Sequence, residues 1–246
     1  MAAVLRPNRP PAARRAGENN MRILALETTE RVGSVAAWRD GNLLLQNDLD
    51  PNQQSARSLA PILRDLLGQV GWRPGDVGLV AVSQGPGSFT GLRVGVSTAK
   101  TFAYAVGAEV LGVDTLQTIA AAAPDDLSRL AVAVDAQRGE VVAQRFERGD
   151  DGLPKPVDSP HLLPIDAWLA GLPPGCNVSG PVLRKLAGRL PAHIVPLESS
   201  YWRPTAANVA RLAARDYAAG RHDDLWSFVP RYCRPSAAEE KWAKRT

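Results

Sequence analysis

Between Gln84 and Gly95 the chain reads QGPGSFTGLRVG, with glycines at positions 85, 87, 91 and 95. Glycine-rich turns that open a helix can wrap a phosphate in backbone N–H groups, so phosphate binding is the first chemistry this run raises. Two common phosphate loops fail on spacing. Walker A needs a glycine five positions after the first, followed by Lys-Ser/Thr, and neither Gly85, Gly87 nor Gly91 starts such a run. The dinucleotide fingerprint fails because Thr90 stands where its third glycine belongs. Two carboxylates, Glu27 and Asp135, each close an apolar run of the type RILALE or LAVAVD, the positions at which a cleft would hold magnesium and phosphate. Each reads equally well as a turn-capping acid. The three histidines, His161, His193 and His222, form no H-x-x-x-H or H-E-x-x-H pair, so a histidine-ligated metal centre is not expected. No Gly-x-Ser-x-Gly elbow occurs, and Ser97 with Lys100 is a commonplace one-turn spacing.

The elements that must position these residues follow from periodicity. RILALE, SVAAWR and NLLLQNDL, with Asp40-Gly41 between the second and third, read as a β-meander. From Ser58 to Val70 apolar residues recur at Leu59, Ile62, Leu63, Leu66, Leu67 and Val70, the spacing of an amphipathic helix. A buried strand VGLVAVS leads into the glycine turn, a second helix runs to about Gly107, and EVLGV and a helix from Thr115 follow. LAVAVD, a turn ending at Gly139, and EVVAQRFERG repeat the opening pattern, which suggests two similar halves. A final helix is expected over Thr205–Ala219.

On the helix after the glycine turn, Leu92, Val96, Ala99, Ala103 and Val106 form one apolar stripe and Gly91, Gly95, Thr98, Phe102 and Ala105 a second. Arg93, Ser97, Lys100 and Tyr104 form its only polar stripe. Two apolar faces mean packing on two sides, with the glycines leaving a notch for a second backbone. That backbone can belong to the same domain or to a partner.

The chain has 246 residues and a formal net charge of +4. Arg6, Arg9, Arg14 and Arg15 against Glu18 place most of that excess in residues 1–20, which read as a disordered extension. From Met21 onward the charge is nearly balanced, so no extended basic nucleic-acid footprint is expected. With two cysteines, Cys176 and Cys233, neither a disulfide framework nor a cysteine-based zinc site is expected. No eighteen-residue apolar run and no secretory h-region occur, so the expectation is a cytoplasmic protein.

The runs ILALETTERVGSVAAW, SQGPGSFTGLRVGVSTAKTFAYAVGAEVLGVDTLQTIA and VDAQRGEVV closely resemble the TsaB (YeaZ) family, dimerisation subunits of the bacterial complex that makes threonylcarbamoyladenosine in tRNA. The likeness spans Met21 to about Val142, with a weaker echo in VPRYCRPSA. The resemblance implies an α/β, actin-like ATPase fold in two ribonuclease-H-like subdomains. Residues 21–118 would form the first and 119–230 the second, with the final helix able to pack back on the first and 231–246 a mobile tail.

It further implies a non-catalytic scaffold for a TsaD-like transferase, joined by a TsaE-like ATPase. The scaffold would meet tRNA only through the complex, and would have no cofactor of its own beyond ATP or ADP near the TsaD-like partner. Carried onto this sequence, the partner-binding residues are Leu59, Ile62, Leu63 and Leu66 on the first helix and Gly91, Leu92, Gly95, Val96, Thr98 and Phe102 on the second. Glu27 and Asp135 would mark a vestigial cleft, Glu27 standing where the family usually has Asp. The rival readings are a stand-alone ATP-dependent small-molecule kinase using Glu27 and Asp135, a metallopeptidase-like protein, and a homodimer through the same helix.

Overall fold

The computed structural model describes residues 21–51, 55–186 and 188–234. The expected extension over 1–20 and most of the expected mobile tail lie outside them.

Strands β1 (Arg22–Glu27), β2 (Ser34–Arg39), β3 (Asn42–Asp48), β4 (Leu79–Gly85) and β5 (Glu109–Asp114) make one sheet in the order β3-β2-β1-β4-β5. The β1-β2-β3 meander is antiparallel, and β4 and β5 add in parallel through helical crossovers. At the β2–β3 turn Asp40 and Gly41 both have positive φ, 52° and 80°, as the Asp-Gly signal requires. Alternation along β1 sends Leu24 and Leu26 to one face and Ile23 and Ala25 to the other. Helices α1 (Ser55–Gln69) and α2 (Phe89–Val106) cover the first face with Leu59, Leu63, Leu66, Val96, Ala99 and Ala103. Helix α6 (Ala206–Ala218) covers the second with Val209, Ala210, Leu212 and Ala213. The last helix among the described residues thus completes the core of the first lobe.

The second lobe is built on β6 (Arg129–Asp135) and β7 (Glu140–Arg148), paired antiparallel from Arg129↔Glu147 to Asp135↔Val141. Strands β8 (Pro154–Pro156) and β9 (His161–Pro164) pair with β7, and β10 (Asn177–Ser179) and β11 (Val195–Pro196) extend the sheet beyond β6. One face buries α4 (Ile165–Ala170) and α5 (Leu183–Leu186) through Trp168, Leu169 and Leu183. The other receives Leu116 and Ile119 of α3 (Thr115–Ala120). Both lobes therefore open with an antiparallel hairpin whose strands carry a face-alternating apolar pattern.

After α6 the chain runs back over the first lobe as a strap, residues 221–234. The Asp223 carboxylate accepts from Gly112 N at 2.8 Å and the Arg221 guanidinium donates to Gly112 O at 2.5 Å, covering the edge of β5. Phe228 is buried in the first core. Lys100 Nζ donates to the carbonyls of Trp226 and Phe228, at 3.2 and 2.9 Å. Main-chain groups and one ring of this polar segment are thus held against α2 and β4. Among the described residues no helix is long and apolar enough to cross a membrane.

Candidate functional site

The glycine turn sits between β4 and α2 at the floor of a cleft of about 1120 Å³ between the lobes. Ser88 caps α2, its side chain accepting from Gly91 N at 3.2 Å, and Gly107, in the left-handed region at φ 71°, ends it. The glycines at 91 and 95 face Thr28, the first residue after β1. A methyl group at Gly91 would overlap the Thr28 carbonyl oxygen, and one at Gly95 the Thr28 hydroxyl. That hydroxyl donates to Gly91 O at 2.8 Å. The notch is thus filled from within the same chain, by the turn that leaves β1. Periodicity could place the glycines on one stripe, but could not tell which backbone occupies it.

This corrects much of the expected partner surface. Leu59, Leu63, Leu66, Leu92 and Val96 are buried against the first sheet, and Gly91 and Gly95 against Thr28. Ile62, Thr98 and Phe102 alone among the predicted interface residues remain partly exposed. The polar stripe of α2 is not solvent-facing as a whole: Lys100 holds the strap, the Arg93 Nε donates to the Tyr232 hydroxyl at 3.0 Å, and Tyr104 packs edge-on against Trp226. What α2 leaves open is a third face, Thr90, Val94, Ser97, Thr101 and Ala105, which carries no charge. Sequence reasoning missed it because small hydroxyl residues give no hydrophobic signal.

Glu27 and Asp135 close matching strands but have opposite surroundings. Glu27 is fully buried; its Oε1 accepts from Thr29 N at 2.5 Å and Thr29 Oγ1 at 2.6 Å, and its Oε2 from the Ser83 hydroxyl. Burial pushes its carboxyl up from the usual range, and the hydrogen bonds from Ser83 and Thr29 pull it back only in part. Asp135 lines the cleft, where it holds Lys185 and accepts from Gln137 Nε2 at 2.8 Å. The Glu27 carboxylate is turned into the protein, so the two acids are not presented together to a ligand. Among the described residues no group of three or more His, Cys, Asp or Glu is placed to hold a metal ion.

Comparison with known proteins agrees with this architecture. Residues 51–177 match the family model of TsaD, tRNA N6-adenosine threonylcarbamoyltransferase. The tRNA threonylcarbamoyladenosine biosynthesis protein TsaB of Escherichia coli K12 is 36% identical over 135 residues, 54% of this chain and 58% of that protein. Its Bacillus subtilis namesake is 27% identical over 233 residues, covering 90% of this chain and 98% of its own. The chain belongs to the TsaD family, in its TsaB (YeaZ) branch. The solved YeaZ of Pseudomonas aeruginosa superposes with a TM-score of 0.76 at 27% identity, over 86% of this chain and 99% of that one. The fold is accordingly the α/β fold of YeaZ, of the actin-like ATPase type, with the antiparallel hairpins β1-β2 and β6-β7 opening its two sheets. Within the TsaB branch, this chain spans about 58% of the Escherichia coli relative and nearly all of the Bacillus one.

Proposed function

We propose that this chain is a non-catalytic scaffold subunit of tRNA threonylcarbamoyladenosine biosynthesis that pairs with a TsaD-like transferase. In this reading a TsaE-like ATPase joins the pair, and ATP or ADP sits near the shared interface rather than in a site of this chain's own. The observation that carries the reading is the uncharged outer face of α2. Its Thr90, Val94, Ser97, Thr101 and Ala105 are at least partly exposed, flanked by the half-buried Ile62 and Phe102. Small side chains let a second helix approach closely, and charge depletion marks interface cores. The internal use of Glu27 and the pairing of Asp135 with Lys185 speak against the kinase alternative.

Light scattering of the full chain, alone and with the TsaD-like protein of the same genome, tests the reading. A one-to-one heterodimer is expected, and Thr101→Arg should remove it while leaving thermal unfolding unchanged, since Thr101 is exposed. Absence of a complex with the parent chain, or a complex indifferent to Thr101→Arg, overturns this assignment. A homodimer through the same face is the competing outcome for the chain alone.

A further inference from the structure

We propose that Trp226 and Val229 of the strap, with Tyr104 of α2, form an apolar wall beside the uncharged face of α2 that the transferase-like partner covers, with Trp226 its anchor. This wall belongs to the transferase-binding face only on the scaffold reading above, to which it adds a second element. Thr90, Val94, Ser97, Thr101 and Ala105 are small, and these side chains alone fall far short of the roughly 20–30 residues a side of a stable interface. The contact must therefore spread to one flank of α2 or to both. On the α1 side the neighbours are Ile62 and Phe102, both half-buried. On the strap side they are open: Trp226 is 73% exposed, Val229 58% and Tyr104 52%. Among the described residues ten large hydrophobic side chains are exposed, and five of them, these three with Phe89 and Tyr232, belong to α2 or to the strap. Scattered exposed hydrophobics need no explanation, whereas a gathering along one helix marks a contact surface.

The strap is laid along α2 in a fixed register. Tyr232 meets Phe89 at the first turn of the helix, ring centres 4.8 Å apart, and Trp226 meets Tyr104 near its last turn, edge-on at 5.5 Å. The helical interval from Phe89 to Tyr104 rises about 22 Å, and extended chain from Trp226 to Tyr232 reaches about 20 Å, so the strap runs antiparallel to α2 with little slack. Between the two ring pairs Lys100 Nζ holds the carbonyls of Trp226 and Phe228. Tyr104 lies one helical turn beyond Thr101 and two beyond Ser97, directly beside the uncharged face. The charged groups along this edge are engaged within the chain. Arg93 reaches the Tyr232 hydroxyl, Lys100 the two carbonyls, Asp224 accepts from Ser227 N at 2.8 Å, and Arg231, at the cleft end, faces the Asp114 carboxylate. A floor of small uncharged residues with an exposed Trp–Tyr pair at its rim suits a helix of another chain whose apolar residues seat against Trp226. Tryptophan and tyrosine are the side chains in which interface binding energy concentrates.

The test is isothermal titration calorimetry of the full chain with the TsaD-like protein of the same genome. Trp226→Ala should weaken the heterodimer at least about tenfold. Leu162→Ala, which removes an exposed hydrophobic of the second lobe, should leave the affinity as it is. Since Trp226 is exposed, its replacement should leave thermal unfolding unchanged. A second measurement reads the contact itself. In a chain labelled with fluorotryptophan, the fluorine resonance of Trp226 is identified by its loss in Trp226→Phe. That resonance should shift between light and heavy water in the free chain and cease to do so in the complex. Trp226→Ala binding as tightly as the parent, an equal loss in Leu162→Ala, or a Trp226 resonance that stays solvent-sensitive in the complex each overturns the proposal. So does a homodimer of the chain alone that Trp226→Ala breaks while the heterodimer keeps its affinity, which would give the wall to a second copy. A heterodimer indifferent to Trp226→Ala defeats this inference alone, whereas no heterodimer with the parent chain defeats the scaffold reading and this inference with it.

Discussion

Adding one methyl group at Gly95 separates internal packing from partner binding. The new Cβ would overlap Thr28 Oγ1 and lie 3.4 Å from both Thr28 Cβ and Val82 Cγ2. The hydroxyl must then rotate away and give up its 2.8 Å bond to Gly91 O. Leaving a buried polar group unsatisfied costs about 1–3 kcal/mol, and overfilling a packed site costs about 1–3 kcal/mol more. Replacing glycine within a helix returns about 1 kcal/mol. Gly95→Ala should therefore destabilise the chain by about 1–5 kcal/mol, read as a lowered urea midpoint at unchanged m-value. The same substitution in a Thr28→Ala background, where the obstructing oxygen is gone, should cost much less, with a coupling energy of at least about 1 kcal/mol. Gly95→Leu should prevent folding. The reasoning is refuted if Gly95→Ala leaves the urea midpoint unchanged yet abolishes binding to the transferase, for the notch would then belong to the partner.

Other expectations follow from the buried acid and the strap. Because burial raises the Glu27 carboxyl, the folded state holds more protons than the unfolded one between its ordinary value of 4.5 and its raised value, so stability falls as pH rises through that window. Urea midpoints should climb as pH is lowered through that window towards 4.5, and Glu27→Gln should flatten part of that slope; the remainder belongs to Glu30 and Asp114, which burial also raises. An unchanged slope in Glu27→Gln would contradict the assignment. Phe228→Ala should cost about 3–5 kcal/mol as a cavity in the first core. It should also expose the bond after Arg231 to trypsin, whereas resistance equal to the parent would mean the strap is held by its main-chain bonds to Lys100 and Gln84 alone.

Much of the fold was legible because it is written in periods. The alternation in RILALE and SVAAWR, the Asp-Gly turn, and the 3.6-residue spacing from Leu59 to Leu67 are local signals, and each element they imply is present. The failure of both common phosphate-loop patterns was likewise a matter of spacing alone, and the GPGSFTGLR run pointed to the family. Tertiary structure decided everything that depends on which surfaces meet. Leu59 and Leu92 are apolar whether they face their own sheet or a partner, and only the path of the chain buries them within the first lobe. Thr28 has no sequence signature as the residue that fills the notch at Gly91 and Gly95, because Gly91 lies 63 residues away and the contact is one hydroxyl and one carbonyl. Glu27 and Asp135 end matching strands, yet one is turned inward to Ser83 and Thr29 while the other meets Lys185; a strand's period fixes the face of a carboxylate but not what stands opposite it. Composition is a sum that sequence gives completely, whereas the meeting of Phe89 with Tyr232 and of Tyr104 with Trp226 is a matter of distance, and distance between remote residues exists only once the chain has folded.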